Sequence, residues 1–204
     1  MRFAGKLVAW ACPNTGADVD WKDPKPAPGP LAVVQGFVNT ANRMHDQDEL
    51  RTSARAVTAL AMLGLVDEVG HIDEADRHRI IAFREALRHV LLAHHADGVE
   101  MAPAAESLNT AIGNVAMRPG LSPEGRPTMS PSADGSPADQ TIGAVLAAII
   151  TADASGNWRR LKACHNDACH WAFYDASRNR SGRWCDMNVC GVRDKMRTYR
   201  RRHR

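Results

Sequence analysis

The alternation of apolar and polar positions divides the chain into helical stretches separated by joints rich in proline and glycine. The clearest stretch is 73–96, where Ile80, Phe83, Leu87, Val90, Leu91 and His94 recur at intervals of three and four, the repeat that keeps side chains on one helix face. Asp73 offers an N-cap carboxylate, Glu74 and Asp76 suit the positive end of the helix dipole, and Gly98 follows as a terminator. A second helix is capped by Thr52 or Ser53, runs through Ala54, Val57, Leu60 and Leu63, and stops at Gly64. Pro103 suits the first turn of a third, with Leu108, Ile112 and Val115 on one face. Ser136 and Pro137 open a fourth, whose Ile142, Val145, Leu146, Ile149 and Ile150 are core and which Gly156 ends.

Between these lie less regular segments. Four prolines within 20–30 make an extended connector. The apolar segment 31–40 reads as a strand or a short helix. The region 117–134, rich in Gly, Pro and Ser, reads as a loop with room for one short hairpin. Near the N-terminus the apolar run 7–12 is too short, and Lys6 too close, for an export signal, so a short strand is expected there. No run approaches the roughly 18 apolar residues of a membrane helix, and no membrane partner is expected. A hydrophobic content of 44% over 204 residues fits one globular domain with a small appendage. The expected fold is mainly α. It comprises an N-terminal segment and connector (1–30), a helical domain (31–157), and a small treble-clef-like zinc finger with a short hairpin and a C-terminal helix (158–204).

Charge sharpens that division. From Trp158 onward there are 13 Lys and Arg against four Asp, whereas the preceding residues hold 13 against 19 Asp and Glu. A basic module thus follows an acidic body, and it can serve either to bind a polyanion or to dock on that body.

Cysteine supplies the chemistry. Cys12 stands alone, while Cys164, Cys169, Cys185 and Cys190 fall in two close pairs, each with four residues between its members. Zinc takes four thiolates tetrahedrally from such pairs, and the spacing is within the usual range. Four protein ligands leave no open position, so one structural Zn2+ is expected, in a reducing cytoplasm. The alternatives are free buried thiols or two disulfides. Asn166 and Asp167 suit the turn between the first two sulfurs. Trp171 to Tyr174 is strand-like, 175–182 is a polar turn, and Arg183 and Trp184 return as the partner strand. Asp186 caps a helix to the C-terminus that carries Cys190 in its first turns. On that helix Val189, Val192, Met196 and Tyr199 form an apolar stripe beside Arg193, Arg197, Arg200, Arg201 and Arg204, so Val192 is expected on the packed side. His94 and His95, near a helix end, are read as structural or solvated rather than ligating.

The segment Cys164-x4-Cys169-x3-Phe173-x-Asp175-x-Ser177-Arg178-Asn179, followed by Arg183-Trp184-Cys185-x-Met187-x2-Cys190-Gly191-x-Arg193-x-Lys195, resembles the CGNR-type zinc finger family. The family's tetrad reads Cys190-Gly191-Val192-Arg193 here, with valine in place of its asparagine. Gly36-Phe37-Val38-Asn39-Thr40 and Phe83-Arg84-Glu85-Ala86-Leu87-Arg88 carry a weaker resemblance to the helical domain, often called ABATE, that accompanies this finger. The resemblance implies a bacterial, stress-related transcription regulator.

Two functions follow. In the first, the module binds DNA through Arg178, Arg180, Arg183, Arg193, Lys195, Arg197, Arg200 and Arg201, guanidinium groups being suited to bidentate grip on phosphate. In that reading a small-molecule effector of the helical domain controls binding, with Asn39 and Thr40 as candidate contacts by resemblance alone. In the second, the finger is a protein-interaction or oligomerisation module with a purely structural zinc, for which a homodimer is one form. No nucleophile motif, phosphate-binding glycine loop or open metal triad marks an enzyme, and no catalytic residue is assigned.

Overall fold

A computed structural model describes residues 23–67, 70–95 and 99–203. The expected strand at 7–12, Cys12, Gly98 and Arg204 lie outside the described residues. The body is helical: α1 (Leu31–Val38), α2 (Ser53–Met62), α3 (Glu74–Ala93), α4 (Met101–Ile112) and α5 (Pro137–Ala154). The segment at 31–40, open between strand and helix in the sequence, is thus a helix over most of its length. A two-residue hairpin follows it, β1 (Ala41–Asn42) against β2 (Gln47–Asp48). Between α4 and α5, β3 (Met117–Leu121) and β4 (Pro127–Pro131) form the expected antiparallel hairpin.

The helices start where their caps dictate. Thr52 accepts from the Arg55 amide, and Asp73 accepts from the Asp76 amide at 2.8 Å. Ser136 and Asp139 form a reciprocal capping box at α5, satisfying two of the donors that a helix start leaves orphaned. The 20-residue α3 is the axis of the molecule. Its Ile80, Phe83, Leu87 and Leu91 are fully buried against α1, α4 and α5, and Phe83 meets Phe37 of α1 with ring centroids 5.8 Å apart.

After α5 and a 3-10 turn (Trp158–Arg160), β5 (Leu161–Ala163) pairs antiparallel with β6 (Ala172–Tyr174). A π-helical turn (Met187–Gly191) then leads into α6 (Val192–Arg202). The partner of β6 is therefore β5, not Arg183 and Trp184 as the sequence led us to expect. The hairpin encloses the first cysteine pair rather than following it. Arg183 touches the hairpin region differently, its carbonyl accepting from the His165 amide at 2.9 Å. The reason lies in the core: Leu161, Ala163 and Ala172 are fully buried in the same apolar cluster as Leu31, Phe37 and Leu91. A strand at 161–163 buries these small apolar side chains against α3, which a pairing with Arg183 would not do.

Candidate metal centre and basic surface

The first two ligands sit on a tight turn between β5 and β6. The Asn166 carbonyl accepts from the Cys169 amide at 2.7 Å and its side chain from the Ala168 amide at 3.1 Å. His170, at φ 50°, reverses the chain so that the Cys164 amide bonds the Trp171 carbonyl. The second pair is positioned by Asp186, whose carboxylate caps the amides of Asn188 and Val189 at 2.7 and 3.1 Å. The Asp186 carbonyl accepts from both Cys190 and Gly191. Gly191 packs against Met187 and Trp184: a Cβ there would lie 2.4 Å from Met187 Sδ and 3.2 Å from Trp184 Cδ1, so the Met187 side chain would have to swing aside.

All four sulfurs lie within 4.8 Å of one another, and all four cysteines are buried. Sγ of Cys185 is 3.7 Å from that of Cys169 and 3.8 Å from that of Cys190. A tetrahedron with Zn–S bonds of about 2.3 Å has edges of about 3.8 Å, so the donor set fits zinc in number, chemistry and size. Four thiols this close compete for charge. Hydrogen bonds from Cys169 and Cys185 hold Cys164 far below the ordinary thiol value, while the Cys164 neighbour and burial push those two up. A bound dication relieves that conflict by favouring the thiolate at every position. Phe173, Trp171, Trp184 and Met44 of the body pack around the cluster.

The body grips this module by its main chain. Asn39 Nδ2 donates to the Ala172 carbonyl at 3.0 Å, and the Ala172 amide returns to Asn39 Oδ1 at 2.8 Å. Gln35 Nε2 also donates to the Ala172 carbonyl, at 3.1 Å. Arg88, fully buried on α3, donates to the His170 carbonyl at 2.9 Å and to Val38 at 2.7 Å, with Glu85 on its Nε at 3.0 Å. Beside it, Arg84 makes a bidentate pair with Asp48, both bonds at 2.7 Å. His94 Nδ1 and His95 Nε2 each reach a β5 carbonyl, Leu161 and Ala163, at 2.7 Å. A carbonyl only accepts, so both rings must donate from those nitrogens. Burial pushes the His94 pKa down to about 4 and lowers that of His95 as well. Both histidines are therefore structural, as read from the sequence. Asn39 is engaged with the finger, and Thr40 accepts from Arg84 at 3.1 Å.

The arginine positions fall into two groups. Arg178 and Arg180 are exposed on the loop after β6, and Arg183 is half-buried with its guanidinium 5.9 Å from the Trp184 ring. That loop is built around a buried ion pair that the sequence did not reveal. Lys162 Nζ donates to Asp175 Oδ2 at 2.9 Å and to the Arg180 carbonyl. Asp175 also accepts from the amides of Ser177 at 3.1 Å and Gly182 at 2.7 Å. Burial opposes its charge, yet hydrogen bonds from Ser177, Lys162 and Gly182 hold its carboxyl well below the usual range. The Asp of the F-x-D-x-S-R-N segment was the available signal, but its partner eleven residues before Phe173 was not.

The second group lies on α6, where Arg193, Lys195, Arg197, Arg200 and Arg201 are all exposed. Arg197 pairs with Asp194 at 2.7 Å and with Asp167 at 3.3 Å, and Arg193 donates to Met44 Sδ at 3.1 Å. Here the expectation about Val192 fails. No residue of α6 is buried, and Val192, Met196 and Tyr199 are 47, 51 and 60% exposed. Periodicity marks an apolar stripe but not what faces it, and nothing among the described residues buries this one.

Among the described residues, no helix is long and apolar enough to cross a membrane. A comparison with curated proteins finds no match. Two family models do match: the CGNR zinc finger over residues 160–203, and over residues 31–156 the ABATE family, described as "Putative stress-induced transcription regulator". With the four-cysteine centre in the first segment and the helical body filling the second, the chain belongs to the ABATE family and carries a C-terminal CGNR zinc finger.

Proposed function

We propose that this protein is a DNA-binding transcription regulator whose zinc finger is the DNA-contacting part and whose helical body sets the finger's position. The observation that carries the reading is α6: an 11-residue helix with no buried residue, bearing Arg193, Lys195, Arg197, Arg200, Arg201 and Arg202. An isolated helix of this length is marginal, and its cations are suited to a polyanion. The loop bearing Arg178 and Arg180, held by Lys162 and Asp175, adds a second fixed cationic feature. The family description supports regulation rather than catalysis. Reduced thiols suit a cytoplasmic setting.

Control by a small effector has a physical route in the same reading. A ligand that displaced α1 or α3 would move Gln35, Asn39, Arg88, His94 and His95, and with them the main chain of β5 and β6.

The test is fluorescence anisotropy of a random-sequence duplex with the zinc-loaded full chain across a salt series. If about five cations engage phosphate, log affinity falls against log salt with a slope of about −4.5. Absence of binding below about 0.1 M salt, where counterion release favours association, would overturn the reading.

A further inference from the structure

The exposed stripe on α6 is narrow and bounded by cations on both sides. At about 100° per residue, Val192, Met196 and Tyr199 share one line. Arg193 and Arg200 fall on one side of it, and Lys195 and Arg202 on the other. Arg197 lies beyond the first flank, tied to Asp194 and Asp167. Among the described residues, Lys195 and Arg200 make no ion pair. The stripe runs from Val192 to Tyr199, about 10 Å along the axis. Val192, Arg193, Met196, Arg197, Arg200 and Arg201 line a shallow groove on this surface.

An apolar ridge between two cationic flanks matches one duplex feature. The major groove is about 12 Å wide and admits a helix; phosphates form its two walls, and the apolar groups on its floor are the thymine 5-methyls. The other occupants fit less well. Two copies of α6 packed ridge to ridge would oppose arginine to arginine, and even with the exposed Met187 and Val189 of the preceding turn the five apolar side chains fall short of the roughly 800 Å² per partner of a stable interface.

Resting on the DNA-binding reading above, we propose that α6 lies in the major groove with Val192 and Met196 against thymine methyl groups, which makes the protein selective for thymine-bearing steps. Position 192 is where the family's tetrad has asparagine. An asparagine there has the donor and acceptor to pair with the adenine edge, whereas valine has only surface to offer, and the methyl of thymine is its complement.

The probes are alternating poly(dA-dT) and alternating poly(dA-dU), duplexes that differ in the 5-methyl group, titrated with the zinc-loaded full chain. Each methyl covered by the ridge is expected to tighten binding to the thymine polymer about fourfold. Val192→Ser and Met196→Ser change exposed positions, so zinc content and Tm are expected to stay at wild-type values while the preference disappears. Equal affinity of the wild type for the two polymers would overturn the proposal and leave the DNA-binding reading standing. A preference that survives in both variants would also overturn it. So would a changed sedimentation coefficient in Met196→Ser with DNA binding unaltered, which would assign the ridge to self-association. Failure to bind either polymer at low salt would instead remove the DNA-binding reading, and this one with it.

Discussion

Asn39 and Ala172 exchange two hydrogen bonds, the side-chain amide of one imitating a neighbouring strand for the main chain of the other. Asn39 ends α1 of the body, and Ala172 begins the returning strand of the zinc hairpin. Replacing Asn39 by alanine leaves a buried amide without its acceptor, for an expected loss of about 2–3 kcal/mol. Urea denaturation followed by tryptophan fluorescence measures that loss. Zinc release should shift by the same amount, because Leu161, Ala163 and Ala172 belong to the body's core. Separate transitions for body and finger would contradict this coupling.

Removal of residues 158–204 follows from the same contact. The truncated body loses the fully buried Leu161, Ala163 and Ala172 and leaves the buried Arg88, His94 and His95 without their carbonyl partners on the finger. It is expected to aggregate or to populate a loosely packed state, seen by size exclusion and by loss of near-UV circular dichroism. A monodisperse, cooperatively folding fragment would show that the core is not shared.

The metal centre predicts one zinc per chain by elemental analysis, and its release by EDTA. Because the finger is wired to α3, chelation should destabilise the whole chain by several kcal/mol, a fall in Tm of about 10 °C. Cys169→Ser should reproduce that fall without chelator. A chain that melts unchanged after chelation would exclude a structural role.

The Lys162–Asp175 pair predicts a larger local effect. Asp175→Asn leaves an ammonium group, 2% exposed, without its counter-charge, a change that costs about 3–5 kcal/mol when both groups are buried. The depressed pKa of Asp175 sets the sign: its contribution is complete above the unfolded carboxylate value of 3.8 and is lost as pH falls through the still lower folded value. The variant should therefore be destabilised at pH 7 and converge on the wild type in strong acid. Gly182→Ala should disturb the same loop, its Cβ falling 2.8 Å from the Asp175 carboxylate. Equilibrium urea melts at pH 7 measure both variants, and a series in increasing acid below pH 3.8 follows the Asp175→Asn gap as it closes.

His94 supplies a titration in the milder range. Its pKa falls from 6.5 in the unfolded chain to about 4 in the fold, so between those values the unfolded state binds the extra proton. Stability is full above pH 6.5 and declines toward pH 4, by about 3 kcal/mol in total. His94→Asn retains a donor near the Leu161 carbonyl and does not titrate. The wild-type-minus-variant stability difference should slope over this window and be flat above it.

The body helices were legible because caps and apolar spacing act within a few residues of one another: Asp73, Ser136 and the stripe from Ile80 to Leu91 required no partner to be recognised. The cysteine cluster was legible for the same reason, its pairs being local. What escaped was set by distant contacts. The pairing of β5 with β6 is decided by burial of Leu161 and Ala163 against α3, more than 65 residues earlier for the His94 and His95 bonds. The exposure of Val192 is set by what the rest of the described chain leaves uncovered, which no period within α6 encodes.

Each bond from Gln35, Asn39, Arg88, His94 and His95 to the hairpin ends on a peptide group. Such bonds depend on the path of the main chain and not on side-chain identity, provided that Leu161, Ala163 and Ala172 keep their fit in the core and position 172 keeps its N–H. α6, for its part, carries no buried residue at all. The two halves are thus held to different standards: the clasp and the buried side chains behind it fix the hairpin, while the packing of the body places no such demand on the face of the protruding helix.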